Sequence, residues 1–205
     1  MLYRIYFFNF RFIRIHRELN EISVAIINNY TSLLSMTNSI SCLKTYVISK
    51  KDTEKILKTM INSWEEKILI PKTKNIKVFE IEEKKSILVI DSFVAVFISD
   101  EIILPFLGRT EILEKFPSVI VDSGSIKFIC NGAKVLRPGV VGFSEFMKND
   151  IVVVKEEKYG KYLSVGIALE NSINAKELQK GQIINNLHYV GDKFWNAFKE
   201  ISFRL

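Results

Sequence analysis

Four of the nine glycines crowd into residues 119–142, VIVDSGSIKFICNGAKVLRPGVVG. Glycine is costly inside helices and strands and favoured at turns, so this stretch is limited to short elements joined by tight bends. SVIVD reads as a strand, and Ser123 with Gly124 turns the chain into a short helix through Lys127 and Cys130. Asn131 and Gly132 stop that helix as a left-handed cap, and Lys134 begins a strand that Arg137, Pro138 and Gly139 bend. Between Asp122 and Glu145 the cations Lys127, Lys134 and Arg137 meet no acidic residue. Glycine turns let a backbone approach a ligand and unopposed cations suit phosphate, which together describe a polyanion site. On spacing alone the bland alternative, glycines that only bend the chain and lysines that are only solvated, stands level with it.

The same punctuation runs to the C-terminus. DIVVVK (150–155) and KYLSVGIAL (161–169) read as strands joined by a hairpin turn centred on Gly160. NAKELQKG (174–181) reads as one or two helical turns stopped by Gly181, QIINNLHYVGD as a further strand, and Lys193–Phe198 as a short helical turn carrying Trp195. Five or more short strands in about 85 residues point to a small closed or half-closed barrel.

Residues 36–116 have a different texture. Ser49 and Asp52 form a capping-box-like start to a helix over roughly 50–67, whose apolar stripe is Ile56, Leu57, Met60, Ile61, Trp64 and Ile68. That stripe is expected to be core, with Pro71 closing the connection. IKVFEI (76–81), SILVID (86–91) and FVAVFI (93–98) read as a small antiparallel sheet with turns at Glu82–Lys85 and at Asp91 and Ser92. Residues 104–116 read as a loop and short helix ending at Pro117, the expected domain boundary. The fold class is therefore α+β, organised as 1–35, 36–116 and 117–205.

The head of the chain, residues 1–35, holds four of the seven arginines, whereas the first lysine is Lys44. This break reads as an appended arm or as a start assigned too early, with Met36 a natural alternative; an arm of this kind allows a strand near Tyr3–Phe8 and a helix over 18–34. Its arginines interrupt the apolar run too often for a membrane span. The formal charge of +6 divides as +2, +1 and +3 over the three segments, so any nucleic-acid site is a local patch and not a basic face. Cys42, Cys130, His16 and His188 are too few and too scattered for a zinc site or a disulfide framework; Cys130 is expected to be a buried small hydrophobe and the compartment to be reducing, hence cytoplasmic. No phosphate loop, dinucleotide fingerprint, nucleophile elbow or metalloprotease helix occurs, and no cofactor is expected. The carboxylate pairs Glu82–Glu83 and Glu156–Glu157 fall in charged turns, where solvation is the ordinary explanation.

The order DSGSIKFICNGAKVLRPGVV, NDIVVVK, LSVGIAL and NLHYVGDKFW closely resembles a PUA domain, the RNA-binding pseudo-barrel of pseudouridine synthases and archaeosine transglycosylases. NGA followed by RPG, with HYVGDKFW, is most similar to the two-domain malignant T-cell-amplified and translation-machinery-associated proteins and their archaeal relatives. The resemblance covers 117 to about 198 in motif and 40–116 in layout; residues 1–35 match nothing in that group. It implies a small α+β domain followed by the pseudo-barrel, and an RNA surface of Lys127, Asn131, Gly132, Ala133, Lys134, Arg137, Pro138 and Gly139 with His188 and Tyr189 nearby. Ala133, Pro138 and Tyr189 are expected to be structural. Neighbours on a strand face opposite ways, so at most one of His188 and Tyr189 shares that surface, and His188 is the choice. The implied function is noncatalytic binding of structured RNA in translation, either the small ribosomal subunit or a tRNA on it. The implied protein partner is a start-codon-selection factor of the density-regulated or ligatin type. A subunit that delivers RNA to a separate modifying enzyme, or a protein-interaction scaffold, are the alternatives.

Overall fold

The computed structural model describes residues 44–64, 68, 70, 73, 75–91 and 93–202. The expected N-terminal arm, residues 65–67 of the expected first helix, Pro71 and Ser92 lie outside them.

Helix α1 (Lys50–Trp64) starts where its cap demands. Ser49 Oγ accepts from the Asp52 N–H at 3.2 Å and donates to Asp52 Oδ2 at 2.6 Å. The helix buries Thr53, Met60 and Trp64, with Ile56 and Leu57 half-buried. Ile61 departs from expectation: it is 57% exposed, because the residue after Met60 projects about 100° around the helix from it. Trp64 is fully buried, donates from its indole N–H to the Ile103 carbonyl at 2.8 Å, and meets Phe116 edge-on.

The helix lies beside an antiparallel sheet ordered along the chain as β1 (Lys44–Val47), β2 (Lys77–Glu82), β3 (Lys85–Ile90), β4 (Phe93–Phe97) and β5 (Ile103–Pro105). The three expected strands are β2, β3 and β4; the two edges were not foreseen. β1 is four exposed residues, and β5 contains Pro105, which an edge strand tolerates and a central one does not.

After α2 (Thr110–Leu113) come β6 (Ser118–Val121), α3 (Ile126–Ile129), β7 (Val135–Leu136), a 3-10 turn at Arg137–Gly139, β8 (Val140–Phe143), β9 (Ile151–Glu156) and β10 (Tyr162–Ala168). Helix α4 (Ser172–Glu177), β11 (Gln182–Tyr189) and α5 (Lys193–Ile201) complete the chain. Helix α4 begins two residues before the expected NAKELQKG turn, where Asn171 Oδ1 caps the Asn174 N–H at 2.8 Å, and it ends well short of Gly181.

The second sheet has the order β7-β11-β10-β9-β6-β8, antiparallel except for β6 with β9. Its outermost strands, β7 and β8, are separated in sequence only by Arg137–Gly139. A flat sheet of six strands would hold its edges roughly 24 Å apart, whereas four Cα steps reach about 14 Å. The sheet must therefore curl, and the result is a nearly closed barrel. Val119, Val121, Ile129, Val152, Val154, Ile183 and Ile184 are among the side chains filling its interior. Val153 and Val165, on the alternate positions of β9 and β10, are also fully buried, and β5 of the first sheet packs on β10. Strands covered on both faces explain the unbroken apolar runs.

Residues 44–205 form one compact unit. Helix α5, from the far end of the chain, packs on β2 and β3, and its Lys193 pairs with Glu82, whose carboxyl is held below its usual range first by that hydrogen bond. Beneath the junction, Phe106 packs on Phe198 with ring centroids 4.3 Å apart and stacks on His188 at 5.2 Å. His188 is fully buried; its Nε2 accepts from the Leu107 N–H at 3.1 Å, so the neutral ring carries its proton on Nδ1, 2.7 Å from Asp192 Oδ2. Asp192 also accepts from the Tyr189 N–H at 3.0 Å and caps α5 through the Trp195 N–H at 2.7 Å. Among the described residues no helix is long and apolar enough to cross a membrane.

Replacing Asp192 removes a helix cap and leaves the buried imidazole N–H without an acceptor. Asp192→Ala is expected to cost about 2–4 kcal/mol in urea unfolding. Asp192→Asn, which keeps one acceptor, costs less.

Candidate nucleic-acid interface

Parallel pairing of β6 and β9 sends both strands out at the same end of the barrel. The loop 122–125 that leads into α3 and the β9–β10 turn therefore lie side by side. The register Ser164↔Tyr189 brings the C-terminal end of β11 to that end, and Ile184↔Val135 points the start of β7 the same way. The turn between α3 and β7 closes the group.

That turn ends α3 with paired bonds, from the Gly132 N–H to the Ile129 carbonyl at 3.0 Å and from the Ala133 N–H to the Phe128 carbonyl at 3.0 Å. Gly132 has φ of +83°, so this is the expected left-handed cap in its Schellman form. A Cβ on Gly132 would lie 2.9 Å from the Tyr189 hydroxyl, whose ring roofs the turn. From below, Asn186 Nδ2 donates to the carbonyls of Ile129 and Ala133 at 2.9 and 3.0 Å.

Lys127, Asn131, Ala133 and Lys134 are exposed around this turn, and neither lysine has an ion pair among the described residues. Sequence reading missed Phe128: it lies in the apolar run IKFIC yet is 65% exposed, because a four-residue helix buries only Ile129 outright. Cys130 is half-buried against the barrel core, and burial pushes its thiol up.

Two expected residues serve the frame. Arg137 is half-buried: Nη1 donates to the Val140 carbonyl and Nη2 to the Lys176 carbonyl, each at 3.1 Å, with the guanidinium over the Phe143 ring. Gly139 is needed where the 3-10 turn presses on α3, since a Cβ there would land on Ser125 Oγ. Pro138 is exposed. The choice of His188 over Tyr189 is corrected: His188 faces the junction with the first sheet, and Tyr189, half-buried, is the member of the pair beside Gly132. Alternation was the right rule, but which neighbour faces inward is set by Leu107 and Phe106, far away in sequence.

Of the Glu156–Glu157 pair, Glu157 is exposed as expected, but Glu156 is not a solvated carboxylate. Glu156 is buried; burial raises its carboxyl pKa, and the N–H groups of Lys161, Lys158 and Tyr159 outweigh that, holding it below the ordinary value of 4.5. Glu157 Oε1 accepts from both the N–H and the hydroxyl of Ser123 at 3.2 Å.

Gly132→Ala forces an L-residue into the left-handed region against Tyr189, and is expected to lower unfolding free energy by about 1–2 kcal/mol. Because the Glu156 carboxyl is depressed in the fold, its contribution is complete above pH 4.5 and fades as pH falls through the lower folded value. Acid titration of Glu156→Gln should show a shallower loss of stability below that pH than wild type, read by circular dichroism.

Residues 117–190 match the family model of the PUA domain. An uncharacterized protein of Methanocaldococcus jannaschii is 41% identical over 75% of this chain and 96% of its own length. Translation machinery-associated protein 20 of Saccharomyces cerevisiae is 30% identical over 62% of this chain and 75% of its own length. Among solved structures, a hypothetical protein of Pyrococcus horikoshii superposes with a TM-score of 0.61 at 27% identity, covering 75% of this chain and 99% of that one. A barrel of this topology, the Gly132 cap and these relatives agree: the chain belongs to the PUA-domain family of the translation machinery-associated and malignant T-cell-amplified proteins.

Proposed function

We propose that this chain is a noncatalytic RNA-binding protein of the translation apparatus. Its barrel end grips structured RNA, on the small ribosomal subunit or on a tRNA bound there, in initiation, reinitiation or recycling. The observation that carries this reading is the exposure of Lys127, Asn131 and Lys134 around the rigid Gly132 turn, in a family whose relatives are named for translation. Phosphate contacts fix register on RNA, and backbone brought close by a glycine admits the sugar-phosphate chain. Lys127 and Lys134 supply the free cations, while Arg137 adds field from its clamped position. The first sheet and α1 orient this surface and offer the face for a protein partner of the density-regulated or ligatin type.

The test is cosedimentation with purified small ribosomal subunits and filter binding to tRNA across a potassium chloride series. Lys127→Gln with Lys134→Gln is expected to reduce the log–log salt slope by about 1.4–1.8, according to whether the RNA is single-stranded or paired. Unchanged affinity and slope for both RNAs would show that these lysines are merely solvated. Copurification with a modifying enzyme, without subunit binding, would favour the delivery role.

A further inference from the structure

The β9–β10 hairpin carries a feature that neither packing nor turn chemistry requires. Tyr159 is 70% exposed, so its ring gains little from burial. A hairpin of this size closes with glycine alone, and Gly160 already supplies a φ of +65°. Here the tip is held more firmly: the buried carboxylate of Glu156 accepts from the N–H groups of Lys158, Tyr159 and Lys161 at 2.7, 2.6 and 3.1 Å. With its backbone donors turned inward, the tip throws its side chains out. The Lys158 and Lys161 ammonium groups lie 5.1 and 5.6 Å from the Tyr159 ring centroid. Lys155 lies 4.8 Å from the ring of Tyr162 on the same hairpin.

This tip adjoins the Lys127–Lys134 surface. The Glu157 N–H donates to the Val121 carbonyl at 3.0 Å, and its carboxylate holds Ser123 just before α3. Both acidic residues of the hairpin thus bind backbone or hydroxyl groups, while lysines and an aromatic ring face solvent.

We propose that Lys158, Tyr159 and Lys161 form a second RNA contact, in which the phenol ring stacks on an unpaired base and the two ammonium groups hold its flanking phosphates. Rigid aromatic side chains beside cations suit single-stranded nucleic acid, because every base offers a π-face. The ligand class is an unpaired segment running off the structured RNA that the Gly132 surface grips, so this inference rests on the RNA-binding reading above.

The experiment is fluorescence anisotropy with two synthetic RNAs, a blunt stem–loop and the same stem–loop with an unpaired 3′ tail. Tyr159→Ala is expected to weaken binding of the tailed RNA by roughly fivefold to a hundredfold while leaving the blunt RNA unchanged, and Tyr159→Phe to stay within about twofold of wild type. Lys158→Gln with Lys161→Gln should reduce the salt slope on the tailed RNA by about 1.4. Unaltered urea midpoints of these surface variants exclude misfolding. If Lys127→Gln with Lys134→Gln weakens both RNAs but Tyr159→Ala affects neither, the hairpin contact is wrong and the RNA-binding reading stands. If the wild-type chain binds neither RNA, the reading itself has failed. Sedimentation with phosphatidylserine vesicles that depends on Tyr159, without an effect on RNA, would overturn the proposal in favour of a lipid surface.

Discussion

Three residues, Arg137–Gly139, join the two outermost strands of a six-stranded sheet, and that short tether obliges the sheet to curl on itself. Arg137 braces that tether, and the Asp122 N–H bonds the Gly139 carbonyl beside it at 2.9 Å. Arg137 donates to carbonyls of β8 and α4, its own N–H bonds the Gly181 carbonyl at 2.8 Å, and its guanidinium covers Phe143. Hydrogen bonds from a charged donor are worth about 1.5–3 kcal/mol each, so a residue that looks like a phosphate ligand in sequence is better explained as the clasp of the barrel. Gly139 follows from the same constraint, since the turn passes close enough to α3 to leave no space for a Cβ.

Closure also decides the electrostatics. A charge of +6 over 205 residues does not by itself make a nucleic-acid surface. At one barrel end, however, the carboxylates of Asp122, Glu156 and Glu157 accept from Ser125, from the hairpin backbone and from Ser123. Each is used to fix a turn. The lysines between them project outward, and a patch arises from the orientation of the two signs and not from an excess of one.

Local chemistry was legible in the sequence, and tertiary choices were not. The Ser49 cap, the Gly132 stop and the Gly160 hairpin depend on nearest neighbours, and each occurs where the residues indicate. The strand containing Pro105 was missed because its tolerance depends on lying at an edge, which is a property of the whole sheet. Ile61 and His188 were misplaced, and Phe128 was missed, for one reason: periodicity names faces, and only packing says which face is covered. Glu156 failed differently, since two adjacent glutamates look alike until the backbone folds three N–H groups around one of them.

The buried polar node at the junction connects these observations. The Leu107 N–H fixes the tautomer of His188, His188 faces Asp192, and Asp192 holds both the Tyr189 N–H and the start of α5. Tyr189 in turn roofs Gly132, at the centre of the proposed RNA surface. An unbroken path of hydrogen bonds and contacts therefore runs from the first sheet to the turn that presents Lys127 and Lys134. Its hydrogen-bonded links are directional, and breaking one at His188 leaves a buried polar group without its partner, a cost of about 1–3 kcal/mol that favours those links staying intact. The segment that follows the first sheet is thus linked to the proposed RNA surface through His188, which sequence reading would have sent to the RNA.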